Sequence, residues 1–151
     1  MNLKKITLFA IIAKKVMLVT ILAISGYVGA NAQNIEIKGA FVRPTTSKST
    51  AAYMDIVNTG TKDDILTEVV ILDRKAIIET HKTVIEDGIA QMVPVNKLMI
   101  PAGQTVHLAP KGIHIMIMGL EAPIKNGDTV SLEFHFQEAG KMQIQLPVRK
   151  K

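Results

Sequence analysis

The chain has 151 residues, 48% hydrophobic and 21% charged, which excludes a disordered or collagen-like polymer and fits one globular domain. It has no cysteine, which excludes disulfides, thiol nucleophiles, thiolate zinc sites, a blue-copper centre and a lipoprotein anchor. The formal net charge of +5 comes from 18 basic and 13 acidic residues, with four of the lysines among the earliest positions.

Residues 1–32 read as a secretory signal peptide. Lys4 and Lys5 give the positive start, residues 16–29 are uncharged and mostly apolar, and Ala30-Asn31-Ala32 sets small side chains where a signal peptidase reads. Cleavage is expected after Ala32. Lys14-Lys15 splits the apolar stretch into pieces shorter than the ~20 residues of a spanning helix, so a retained anchor is the lesser alternative and no stable membrane insertion is expected afterwards. Removing this segment takes away four lysines and no acids, leaving 14 basic and 13 acidic residues in the mature domain, 33–151. No basic run of the kind that marks a nucleic-acid surface remains. Arg149-Lys150-Lys151 reads as a solvated tail, and the leader implies a periplasmic protein.

From residue 35 onward, short apolar or alternating runs follow one another. Strands are expected at 35–42, 51–58, 65–72, 76–81, 89–93, 105–109, 113–118, 129–136 and 142–148. Turn signals separate them at Asn58-Thr59-Gly60, Asp87-Gly88, Pro110-Lys111-Gly112, Asn126-Gly127 and Ala139-Gly140. Such a succession, with no long helical period, predicts a single all-β domain, a sandwich or barrel. The run 129–136 places Val130, Leu132, Phe134 and Phe136 on one face, and 142–148 repeats the pattern with Ile144, Leu146 and Val148. Residues 128–148 should therefore form a hairpin closed near Glu138-Ala139-Gly140.

The run 113–118 divides two chemistries. Ile113, Ile115 and Ile117 share one face, and His114, Met116 and Met118 share the other, at the ~7 Å same-face repeat of a strand. Imidazoles and thioethers suit Cu(I) and need no thiol. A second pair comes from turn geometry. Asp87-Gly88 is a strong two-residue hairpin signal, and a turn centred there pairs Thr83 with Met92, which puts His81 on the same face as Met92 and diagonal to it. A lone Met in a β domain is usually core filler and a lone His usually a surface residue. Two of each, in two segments that both present them on one face, favour a metal site.

The spacing His81-x10-Met92-x21-His114-x-Met116 resembles the signature of the PCu(A)C periplasmic copper chaperones. The similarity extends over Ala51-Ala52-Tyr53-Met54, Asn58-Thr59-Gly60, Asp63-Asp64, Asp87-Gly88, Ile100-Pro101-Ala102-Gly103 and Met116-Ile117-Met118-Gly119-Leu120, from about Gly39 to about Leu146. The resemblance implies a cupredoxin-like (Ig-like) β-sandwich that binds one Cu(I) with His81, Met92, His114 and Met116. It also implies delivery of copper for assembly of the CuA centre of cytochrome c oxidase, with the CuA subunit or a Sco-type assembly protein as partner. Met118 is a reserve ligand or packing, and His107 and His135 are ordinary surface histidines. Two departures from the family pattern stand out. Lys82 and Thr83 follow His81 where many members carry a Met, and the chain shows no His- and Met-rich C-terminal extension, so a second, Cu(II) site is not expected.

The alternatives are a copper-buffering or resistance protein and a structural β-sandwich without metal. A monomer is expected. No nucleophile with its base, paired-carboxylate site or phosphate loop can be read, so an enzyme is not expected. Asp63-Asp64 and Glu86-Asp87 read as solvated turn residues.

Overall fold

A computed structural model describes residues 34–150, so the expected signal peptide, 1–32, lies outside the described residues. Ten strands follow in chain order: β1 (Ile35–Val42), β2 (Ser49–Asn58), β3 (Asp64–Ile71), β4 (Ile77–Glu86), β5 (Ile89–Pro94), β6 (Leu98–Ile100), β7 (Thr105–Leu108), β8 (Ile113–Met118), β9 (Thr129–Phe136) and β10 (Gly140–Pro147). They form two sheets. One has six strands in the order β1-β2-β7-β8-β4-β5, with β2 also pairing β8, and the other has four, β10-β9-β3-β6. Every named pairing is antiparallel except the single β7–β8 bridge. This is the cupredoxin-like sandwich the sequence implied.

The nine expected strands are present with small shifts at their ends. β4 continues to Glu86, beyond the expected end at His81, because the two-residue turn at Asp87-Gly88 lets β5 pair with it to the tip. Both turn residues have positive φ, 50° and 78°, the requirement of a type I′ turn. The unforeseen strand, β6, has three residues, too few to show alternation.

The core lies between the sheets. Phe134, Leu132 and Val130 from β9 meet Ile115 and Ile117 from β8 and Ile56 from β2, all fully buried. Each such side chain contributes about 1.5–3 kcal/mol by leaving water. The even-numbered face of 129–136 is thus core, as its alternation predicted, and Leu146 and Val148 join it.

Two polar residues are buried with their partners. Asn58 bonds the carbonyls of Lys62 and Ile100 and accepts the Gly60 amide. Asp64 accepts the amides of Ile65, Glu138 and Ala139, so it is a buried clasp between β3 and the β9–β10 loop rather than the solvated turn residue expected from sequence.

A bulge in β1 bears on the site. Ile37 pairs with Ile56, but Phe41 pairs with Tyr53, so one extra residue enters β1 between Lys38 and Phe41. Gly39, with φ at 61°, takes the left-handed conformation this requires. Because side chains alternate with period two, the extra residue turns Phe41 from the core face to the outer face and gives Val42 to the core.

Candidate metal centre

The outer face of the six-stranded sheet holds all four candidate ligands. His81 on β4 is the direct partner of His114 on β8, and Glu79 is the partner of Met116. Thr83 is the partner of Met92, the register expected from the turn. Residues opposite one another in antiparallel strands project to the same side. Ile115 and Ile117, alternating with His114 and Met116, are fully buried in the core, which fixes that side as the outer one.

His81 is the hub of the group. It faces His114 directly, has Met116 on one diagonal and Met92 on the other, and its ring meets that of His114 edge to face with centroids 6.2 Å apart. The two methionines lie on opposite sides of it. Two strand spacings across and four residues along separate them by on the order of 15 Å at Cα on a flat ladder, so one ion reaches both thioethers only if the β4–β5 hairpin bends toward β8. The histidines and Met116 are therefore gathered by the ladder, and Met92 is the outlying member.

Accessibility grades the same way. His114 is 4% exposed and Met116 half-buried, whereas Met92, on the edge strand β5, is 59% exposed. His114 owes its burial partly to neighbouring rings. Tyr53 on β2 lies 6.5 Å from it, and Phe41 lies 5.5 Å beyond Tyr53.

The hydrogen bonds define which nitrogens are free. His114 Nδ1 lies 3.0 Å from the Gly112 carbonyl, which can only accept, so in the neutral ring Nδ1 carries the proton and Nε2 keeps its lone pair. His81 Nε2 donates to Glu79 Oε2 at 2.7 Å, which leaves the lone pair on Nδ1. That atom is buried and, among the described residues, has no hydrogen-bond partner. A buried acceptor without a partner costs about 1–3 kcal/mol, and a metal ion would satisfy it. Each imidazole thus has one nitrogen anchored and one lone pair to give, the usual arrangement of metal-ligating histidines.

Glu79 and Tyr53 complete the surroundings of the two histidines, although neither is of a residue type that the Cu(I) pattern calls for. Glu79 could have been found by the alternation that links His114 to Met116, since it precedes His81 by one same-face step. Met118 sits one step beyond Met116, opposite Ile77 and Ser49 and about 13 Å from His114 along the strand. His107 is exposed and bonds Asp55 at 2.7 Å. His135 is not the ordinary surface histidine expected. It lies on the other sheet, mostly buried, with its ring nitrogens against Glu68 (2.8 Å) and Glu133 (2.6 Å). Among the described residues no three His, Asp or Glu side chains converge as a metal site, so a centre on this chain depends on the thioethers.

Residues 35–148 match the family model described as "Putative lipoprotein LpqE-like". The protein named "Putative lipoprotein Lxx21020" from Leifsonia xyli subsp. xyli (strain CTCB07) is 34% identical over 122 residues, covering 80% of this chain and 73% of that protein. Those names refer to a lipid anchor, yet none of the 151 residues here is a cysteine that could carry one. Among solved structures, the Cu(I) form of DR1885 from Deinococcus radiodurans is 30% identical with a TM-score of 0.61, covering 82% of this chain and 84% of that one. The copper-bound PCuAC domain from PmoF2 superposes with a TM-score of 0.64 over 78% of this chain and 94% of that domain. At 20% identity that second likeness speaks to the fold alone.

Proposed function

The chain belongs to the LpqE-like family, and from that premise we propose that it is a periplasmic Cu(I) carrier that holds one ion with His81, Met92, His114 and Met116. The observation that carries this reading is a pair of imidazole lone pairs with no partner among the described residues, on residues directly opposite each other, with thioethers on both flanks of the same face. The solved relative DR1885, 30% identical and with a Cu(I)-bound structure, supports the choice of metal.

Two imidazoles and two thioethers are neutral, polarisable donors that favour Cu(I) over harder ions. Without a thiolate the bound ion keeps its positive charge, and Glu79, bonded to His81, offsets part of it. The graded exposure gives a route for transfer. Met92 is the donor a partner meets first, so its replacement by a partner's ligand opens the coordination shell while the two histidines still hold the ion. The client under this reading is the CuA subunit of cytochrome c oxidase or a Sco-type assembly protein, and the chain itself performs no catalysis.

X-ray absorption of the Cu(I)-loaded protein counts donors directly. Two nitrogens and two sulfurs in a 1:1 complex are expected, and a shell without sulfur would overturn the assignment. Loss of CuA-oxidase activity in a deletion strain at low copper is the outcome delivery requires; copper sensitivity alone would mark a buffering protein.

A further inference from the structure

Beside the metal face lies a cleft of about 390 Å³ lined by Phe41, Arg43, Pro44, Tyr53, Pro110 and Lys150. We propose that this cleft docks an acidic segment of a partner protein, with carboxylates on Arg43 and Lys150 and an apolar side chain against the Phe41–Tyr53 floor. That the docked protein is the one exchanging copper rests on the carrier reading above; the preference for an acidic segment does not.

The charge of the cleft is one-sided. Its lining includes two cations and no acid. The Arg149 guanidinium stacks over the Phe41 ring at 4.8 Å, and Lys111 follows Pro110 at the turn leading into β8. Arg43, Lys111, Arg149 and Lys150 have no carboxylate partner among the described residues, a state they share with Lys48, Lys62, Lys75, Lys82, Lys97 and Lys125; what sets the cleft apart is that four such cations gather around it. Unpaired cations around a cleft raise the local concentration of anionic groups and speed their encounter.

The floor is aromatic and mostly covered: Phe41 is 4% and Tyr53 7% exposed, and Arg149 lies over the Phe41 ring, so the cleft presents ring edges and the Arg149 guanidinium to an incoming side chain. Aromatic rings with a polar tip, next to arginine, are the side chains that dominate protein–protein binding. The bulge at Gly39 is what puts Phe41 here instead of in the core.

Position supplies the purpose. Tyr53 touches both sites, with Phe41 5.5 Å to one side and His114 6.5 Å to the other. The turn that supplies Pro110 to the cleft also supplies the Gly112 carbonyl that anchors His114. A partner seated in the cleft is thereby held against the edge of the ligand group.

The test uses the full chain and a short peptide of Asp and Glu with a central Phe, beside a counterpart with Lys in place of the acids. Titration followed by NMR should shift Arg43, Tyr53, Lys111, Gly112 and Lys150 with the acidic peptide only, and the effect should vanish near 1 M salt, where screening acts over about 3 Å. Arg43→Glu with Lys150→Glu should weaken binding by about tenfold or more. Arg43→Gln with Lys150→Gln should weaken it less, and circular dichroism should show both variants folded. No saturable binding, shifts confined to another face, or equal binding by the charge-reversed variant would each overturn the proposal. So would binding to phosphatidylglycerol vesicles through the same residues without binding to the peptide, which would make the surface a lipid contact. Cu(I) affinity is measured separately on the same samples. A chain that binds peptide but not Cu(I) keeps this cleft and loses the carrier reading, and the reverse result does the opposite.

Discussion

His81 and His114 are direct partners across the β4–β8 ladder, each with one ring nitrogen anchored and one lone pair that no described residue uses. Residues distant in the chain are thus held a strand spacing apart before any metal arrives. A donor pair set by backbone pairing would cost little to organise on binding an ion, which favours high affinity under the proposed ligand set.

Removing either kind of donor tests the group. Met92→Ala and His114→Ala should each lower Cu(I) affinity by about tenfold or more, which is about 1.4 kcal/mol. Met92 is largely exposed, so its variant should melt like the parent. Competition with a Cu(I) chelator reads the affinity, and unchanged values in both variants would rule these residues out as ligands.

Glu79 fixes which nitrogen of His81 is free. Glu79→Gln keeps the size but removes the charge, and should weaken Cu(I) binding by about tenfold, in the range seen when partners of metal-bound histidines are changed. The same competition assay reads it, and X-ray absorption should still count the parent's donors.

The hairpin turn sets the position of Met92. Gly88→Val places a β-branched residue at φ 78° and should cost about 1–2 kcal/mol locally. Cu(I) affinity should fall although no ligand is touched, and hydrogen exchange should quicken in β5 while β9 keeps its protection.

Acid should act through Glu133. Hydrogen bonds from Gln143 and His135, opposed by partial desolvation and aided by Lys141, lower its pKa from 4.5 to about 2. The folded carboxylate therefore stays charged where the unfolded one has taken up a proton. Its contribution to stability is complete above pH 4.5 and is lost as the pH falls toward 2. Denaturation midpoints measured across that window should fall less steeply in Glu133→Gln than in the parent.

Asp64 should be the costliest acid to remove. Asp64→Ala strands three amides of the β3 and β9–β10 region and should destabilise the domain by about 2–4 kcal/mol, as urea unfolding would show.

The legible parts of this fold are those governed by a single period or a single turn. Strict alternation in 113–118 and 129–136 gave both faces correctly, and Asp87-Gly88 gave the Thr83–Met92 register. The features that escaped depend on contacts with distant residues. Gly39 marks a bulge only once β2 is alongside, since nothing local says that the parity changes between Lys38 and Phe41. Asp64 looked solvated because its three donors come mostly from a loop far along the chain. The pairing of His81 with His114 joins separate hairpins, so spacing could place both on outward faces but could not make them neighbours.

The exposure of Met92 has a chemical consequence beyond ligand exchange. A thioether open to solvent is the first of the four donors that oxidants encounter, and oxygen transfer to its sulfur makes a polar sulfoxide in place of a soft donor. We expect mild peroxide treatment to modify Met92 ahead of Met116, visible as a mass increase in the β5 peptide, and to reduce copper loading. Since methionine sulfoxide is enzymatically reducible, the amount of metal this protein can carry would then follow the balance between oxidant and repair around it.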